Sequence, residues 1–289
     1  MVLDGGMGTE IKGRGIAEGS SELSVAAMLE SPEGIREIHE DFIRAGAEVI
    51  ITNTYICNSG KLARIGWDAS GMARVNRLAA KAALEARAAA PNRRVIVAGS
   101  LGPLSESYNP DAVLPYEECV SAYQEQAQTL AQAGVDVILV ETCTKVHEAV
   151  AGVVAAVESG MPAWAGFVVD EQGRVQSGES VLDAQTAIKE AGASVLFLNC
   201  SQAPNITAAL KALAGHGEMP VGAYAQGAVY EGRGWDFEES MSPGQYLAYA
   251  KEWARLGARA IGGCCGTTPE HIRSIAGALP DLAAWSAIS

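Results

Sequence analysis

The chain has 289 residues, 34 acidic against 21 basic for a formal charge of −13, and 48% of its residues are hydrophobic. That length can bury a large core, and an acidic balance with no basic block speaks against a nucleic-acid backbone or an anionic membrane surface as partner. No apolar run nears the roughly 18 residues of a membrane span, no secretory leader opens the sequence, and six cysteines are too sparse for a disulfide scaffold, so a cytoplasmic protein with one domain over 1–289 is expected.

A short apolar stretch at 2–4 opens the chain and runs into Asp4-Gly5-Gly6-Met7-Gly8. The first full helix then starts at Ser31 as N-cap with Pro32 behind it, and Ile35, Ile38, Phe42 and Ile43 form one apolar stripe. It stops at Ala45-Gly46-Ala47, after which Val49-Ile50-Ile51 begins a strand. The same phrase returns at Ala133-Gly134-Val135, Ala191-Gly192-Ala193 and Leu256-Gly257-Ala258, each followed by a β-branched or apolar run. Glycine after a helix takes the left-handed conformation without a Cβ penalty, and a continuous apolar run fits a strand buried on both faces. Each phrase therefore predicts a helix-to-strand junction.

Filling the gaps predicts eight strands, near 2–4, 49–54, 95–100, 136–141, 163–169, 195–199, 221–225 and 259–263, separated by helices; Thr268-Pro269-Glu270 opens the last helix. Eight alternating units fit an α/β fold of the (β/α)₈ TIM-barrel type. A doubly wound sheet would want a GxGxxG turn after its first strand and an acidic residue about 20 positions on, and neither is present. The stretches Ser105–Pro115 and Gln226–Pro243 are long, non-helical and follow strands, which puts them at the catalytic face of a barrel.

Three cysteines fall at strand ends: Cys200 after Leu198-Asn199, and Cys264-Cys265 after Gly262-Gly263. Neighbouring strand residues point to opposite faces, so Cys264 and Cys265 can reach one ion only where the strand breaks, a freedom expected from Gly262, Gly263 and Gly266. Three thiolates with no obvious fourth protein ligand is the pattern of a catalytic zinc with an open position. The plain alternative, three buried packing cysteines, gives no reason for a Gly-Gly-Cys-Cys-Gly run. Cys57, Cys119 and Cys143 read as packing residues, and His39, His147, His216 and His271 as non-catalytic. No strand ends in Lys or His, which counts against a Schiff-base aldolase or a His-ligated lyase. Glu141, ending Val137-Ile138-Leu139-Val140, is a carboxylate that a solvent-facing strand end does not need.

With its Gly262-Gly263-Cys264-Cys265-Gly266-Thr267-Thr268-Pro269 run, Asn199-Cys200, and the opening Leu3-Asp4-Gly5-Gly6-Met7-Gly8-Thr9-Glu10, the sequence resembles the homocysteine S-methyltransferase family. That family includes betaine- and S-methylmethionine-dependent enzymes and the homocysteine module of cobalamin-dependent methionine synthase. The resemblance implies a zinc enzyme on a (β/α)₈ barrel, with Cys200, Cys264 and Cys265 as catalytic metal ligands. It implies that Asp4, Gly5 and Glu141 bind the amino-acid part of L-homocysteine, and that Thr54 and Tyr55 lie near the metal. Asn199 would touch the substrate or brace the ligand loop. The product would be methionine, and the donor a small onium compound such as S-methylmethionine, S-adenosylmethionine, betaine or a thetin. A net-negative zinc–thiolate centre attracts such a cation, and aromatic residues on the mouth loops, Tyr108 and Trp235 among them, could face it. Alternatives are methyl delivery by a separate corrinoid protein, for which this length leaves no module of its own, and a non-catalytic zinc barrel. After the seventh strand the chain departs from the family's Pro-Asn-x-Gly run, reading Tyr224-Ala225-Gln226-Gly227-Ala228, which leaves the donor open.

Overall fold

Short β-branched and apolar runs alternating with amphipathic helices build a parallel sheet. A computed structural model describes residues 1–18, 23–216, 219–230, 235–236 and 240–278. The strands are β1 (Val49–Ile51), β2 (Ile96–Leu101), β3 (Val137–Cys143), β4 (Ala163–Phe167), β5 (Ala193–Asn199), β6 (Val221–Ala225), β7 (Val229–Tyr230), β8 (Trp235–Asp236) and β9 (Ala260–Gly263). Seven of them form one sheet in the order β1-β2-β3-β4-β5-β6-β9, every pair parallel. β7 and β8 form a separate antiparallel pair, an element the sequence reading did not foresee.

The stretch expected as a first strand at 2–4 takes part through two single bridges. Val2 pairs with Ile261 and Leu3 with Val49, both parallel. Residues 2–3 therefore join the last strand of the sheet to its first, and the curled sheet meets itself there. The helices between strands include Pro32–Ala45, Ala69–Ala88, Tyr116–Ala133, Val146–Glu158, Val181–Glu190, Ala203–Leu213 and Pro243–Arg255, and Pro269–Ala278 follows β9. All four predicted junction glycines are left-handed, with φ of 116° at Gly46, 91° at Gly134, 107° at Gly192 and 102° at Gly257. Ser31 precedes Pro32 as expected, but its side chain makes no capping hydrogen bond.

Strand alternation sorts the apolar residues into two cores. Leu3, Val49, Ala98, Val137, Leu139, Trp164, Val195, Phe197, Tyr224 and Ala260 pack together inside the curled sheet. Ile50, Val97, Ile138, Val140, Leu196, Leu198, Ala223 and Ile261 face the helices. Trp164 and Phe197 lie with ring centroids 5.7 Å apart, and Phe197 meets Tyr224 edge-on at 5.5 Å. Burying each such ring stabilises the fold by roughly 1.5–3 kcal/mol. This plug floors the space above it, where the C-terminal ends of the strands converge. Among the described residues no helix is long and apolar enough to cross a membrane.

Candidate active site

Because side chains alternate along a strand, the inward phase that carries Val137 and Leu139 continues to Glu141, that of Val195 and Phe197 to Asn199, and that of Ala98 to Ser100. Polar residues thus appear where the apolar plug ends. Glu141 among them lines a cavity of about 590 Å³, within the range of small-molecule sites. Its wall includes Asp4, Gly5, Tyr55, Glu141, Cys200, Cys264 and Cys265 from the sequence-predicted set, together with Thr52, Asn53, Glu106, Ser107, Tyr108 and Tyr224.

The three thiols converge from two strand ends. Cys200 directly follows β5, is buried, and has a left-handed backbone with φ 47°. Cys264 and Cys265 follow β9 in a turn closed by Gly266 at φ 83°. A Cβ on Gly266 would collide with the backbone nitrogen of Ala228, so only glycine lets the chain turn back there. Gly262 and Gly263 act otherwise than expected. They belong to β9 and lack positive φ; a Cβ on them would run into Leu3 and Thr267, respectively. Their absent side chains allow close packing, and Gly266 supplies the turn. The backbone of the thiol loop is fixed by Cys264 N donating to Ala225 O at 2.9 Å and by Thr267 Oγ1 donating to Cys264 O at 2.7 Å.

The Cys264 thiol is hydrogen-bonded to both Cys200 and Cys265, and these two contacts, followed by burial, push its pKa well above the ordinary thiol range. A cation among the sulfurs would reverse that penalty, since a coordinated thiol is deprotonated outright. Among the described residues no three His, Cys, Asp or Glu side chains already stand as a metal cage. Fit to a metal therefore rests on the convergence of three soft sulfur donors on one cavity, a donor set that favours zinc over hard cations.

Two carboxylates share the cavity wall: Asp4 lies beside the thiol loop, where Gly263 N donates to Asp4 O at 3.0 Å, and Glu141 sits on β3. Asp4 is buried; its Oδ2 accepts from Ile51 N at 2.8 Å, while Oδ1 is buried without a hydrogen-bond partner. Glu141 accepts from Ser100 Oγ through Oε1 and from Tyr224 Oη at 2.9 Å through Oε2. Burial raises the pKa of both carboxyls, and for Asp4 the nearby Glu141 charge adds to the rise. A cationic group between them would relieve both and complete the unpartnered Asp4 oxygen.

The other predicted residues divide. Tyr55 lines the cavity and its phenol shares a 2.8 Å hydrogen bond with Ser107. Thr54 and Asn199 do not line it. Thr54 Oγ1 instead donates to Ser100 O at 2.8 Å and so pins the turn before Tyr55. Asn199 Nδ2 donates to Cys200 Sγ at 3.3 Å, the bracing alternative. Of the other cysteines, Cys57, Cys119 and Cys143 are buried in the helix-facing core. The histidines lie off the cavity; burial lowers the pKa of His39 to about 3 and keeps it neutral. The Ser105–Pro115 stretch does reach the mouth, through Glu106, Ser107 and Tyr108. The side chain of Trp235 lies outside the described residues.

Sequence reasoning passed over Ser100, Tyr224 and Gln226. The first two sit on the inward strand phase and could have been found by extending it. Gln226 is the residue of the departing run: its Nε2 donates to Cys200 O at 2.7 Å and to Tyr108 Oη at 3.3 Å. It ties the thiol-bearing strand end to the mouth loop.

A parallel α/β sheet curled around an apolar plug, with three thiols and two carboxylates at its C-terminal mouth, has the architecture of an α/β enzyme with a small-molecule site. A profile of the family described as homocysteine S-methyltransferase matches residues 1–279. The chain belongs to that family. It is 30% identical over 299 residues to homocysteine S-methyltransferase 2 of Zea mays, covering 95% of this chain and 88% of that one. It is also 31% identical over 309 residues to methionine synthase of Mycobacterium tuberculosis, covering 98% of this chain but 25% of that relative. The crystal structure of the metallated form of the homocysteine methyltransferase MmuM from Escherichia coli superposes with a TM-score of 0.84. That match has 28% sequence identity and covers 96% of this chain and 95% of MmuM.

Proposed function

We propose that the protein is a zinc-dependent methyltransferase that moves a methyl group from a small onium donor to the thiolate of L-homocysteine, giving methionine. In this reading residues 1–289 are one homocysteine-binding (β/α)₈ domain, with the bridging segment at 2–3 as its short eighth strand. The observation that carries it is the meeting, in one cavity, of the thiols of Cys200, Cys264 and Cys265 with the carboxylates of Asp4 and Glu141. Membership of the family and the metallated form of MmuM support it.

Zinc held by the three thiolates would supply a Lewis acid that lowers the pKa of an added thiol and keeps it as the nucleophilic thiolate. The chain's own residues do the rest. Asp4 Oδ1 and Glu141 hold the substrate ammonium, and Gly5 lets backbone approach it. Ser100 and Tyr224 hold the Glu141 carboxylate by two donated hydrogen bonds. The rings of Tyr55 and Tyr108 offer π faces to a cation. The new S–CH₃ bond forms as the onium–CH₃ bond breaks, and the opposite charges of thiolate and onium disappear together, which a partly desolvated site favours. A polyanionic folate donor would meet repulsion from the acidic wall and from a chain of net charge −13.

The likeness to methionine synthase supplies the second reading, in which the methyl arrives on a separate corrinoid protein. Purified protein with about one zinc per chain should convert homocysteine to methionine with at least one of S-methylmethionine, S-adenosylmethionine, betaine and a thetin. Turnover only with a methylated corrinoid protein would replace the onium donor by the second reading. Zinc-loaded protein inert with every donor would leave a non-catalytic zinc barrel.

A further inference from the structure

Thr142 touches neither carboxylate nor cavity, yet its backbone is among the least comfortable in the molecule. It follows Glu141 where β3 changes register against β4, and its φ is 63°. Left-handed backbone is disfavoured for any residue with a Cβ, and more so for a β-branched one. The irregularity also turns Cys143 out of the inward phase and into the helix-facing core. Across the gap Cys200 is left-handed as well, at φ 47°.

Four hydrogen bonds lock the two together through Asn199. Thr142 N donates to Asn199 Oδ1 at 3.2 Å, and Asn199 Nδ2 donates to Thr142 Oγ1 at 2.9 Å. Asn199 Nδ2 and Thr142 Oγ1 then each donate to Cys200 Sγ at 3.3 Å. Because the amide already occupies a lone pair of the hydroxyl, the single hydroxyl proton is left for the sulfur. All of these groups are buried. Cys200 Sγ thus receives two buried side-chain donors, one N–H and one O–H.

We propose that Thr142 is a positioning residue for Cys200: its hydroxyl, oriented by Asn199, fixes the rotamer of that sulfur and draws charge from it. This rests on the three-cysteine metal reading. As a ligand Cys200 is then tempered, because a hydrogen-bonded thiolate donates less charge to a metal than a bare one, and the bonds hold it in place before the metal arrives. Partners of this kind commonly shift metal affinity by 10–100-fold.

Thr142→Val keeps the size and the β-branch but removes the hydroxyl; Thr142→Ser keeps the hydroxyl. Zinc affinity is measured on the full chain by competition with a chromophoric chelator. The thiolate-to-metal charge-transfer band is recorded on the Co²⁺-loaded protein. Thr142→Val should bind zinc about tenfold or more weakly, with Thr142→Ser within about threefold of the parent. The Co²⁺ band should move to lower energy in the valine variant and stay in place in the serine variant. If the valine protein does not fold, Thr142→Ala is compared with Thr142→Ser in the same two measurements. A hydroxyl-free variant with parental zinc affinity and a parental Co²⁺ band overturns the proposal and leaves the metal reading standing. A parent that itself binds no zinc takes both down.

Discussion

The strand ends after β5 and after β9 bring thiols to the same place by opposite means. After β9 the backbone is released by glycine. Gly262 and Gly263 clear space for Leu3 and Thr267, and Gly266 turns the chain at φ 83°. After β5 no glycine is present, and Cys200 is held at φ 47° by Asn199, Thr142, Tyr224 and Gln226. One end obtains its geometry from local chain freedom, the other from partners that are distant in sequence. The first kind of geometry is written in a short run of residues; the second exists only once the sheet has formed.

The sharpest test of that contrast removes the sulfurs themselves. Cys200→Ala and Cys264→Ala should each lose stoichiometric zinc by metal analysis and lower methyl transfer at least about 100-fold, because both ends feed one site. Full zinc in Cys200→Ala with loss only in Cys264→Ala would show that the β9 end alone holds the metal. A smaller effect is expected at the glycine end. Gly266→Ala should destabilise the fold by about 2–3 kcal/mol in urea titrations, from a left-handed alanine plus the clash with Ala228. Stability equal to the parent would mean that the loop can rearrange and that glycine is not what shapes it.

Glu141, on β3, shares the cavity with both ends, and its replacement separates binding from folding. Glu141→Gln should raise KM for homocysteine about tenfold with little change in kcat, as for a group that acts in ground-state binding. Its effect on stability has the opposite sign. Burial raises the folded-state pKa of Glu141, so the stability tied to its neutral form is present below the ordinary carboxylate range and lost as pH rises through the raised value. The glutamine variant escapes that loss. It should be the more stable protein at neutral pH, with the gap closing in acid. A variant less stable than the parent at pH 7 would show that the hydrogen bonds from Ser100 and Tyr224 outweigh the burial of charge.

The same division explains what could be read from the chain alone. The helix-to-strand junctions were legible because Gly46, Gly134, Gly192 and Gly257 each supply a local left-handed residue. Strand positions followed from apolar runs, and the thiol triad and Glu141 from polar residues placed at strand ends. Thr54 and Asn199 were recognised as near the site but not as held off the cavity wall by Ser100 and Thr142, partners 46 and 57 positions away. Thr142 was invisible for a related reason. Nothing in Glu141-Thr142-Cys143 announces a register shift, which comes from pairing with β4. Gln226 was seen only as a departure from a familiar run, because its partners Cys200 and Tyr108 lie 26 and 118 positions away.

The bridges at Val2 and Leu3 have a consequence for how the enzyme comes into being. Asp4 precedes Cys264 and Cys265 by 260 and 261 positions. The seam that sets them side by side, with Gly263 N donating to Asp4 O at 3.0 Å, joins residues 258 positions apart through the Met1 amine on Arg259 O, and 261 apart through Gly6 N on Thr267 Oγ1. A growing chain can lay down β1 to β6 one unit after another, each pairing with its predecessor. Until residue 265 has been made it has neither a complete thiol set nor the strand end that lies beside Asp4. Substrate and metal sites are therefore completed by the same closure.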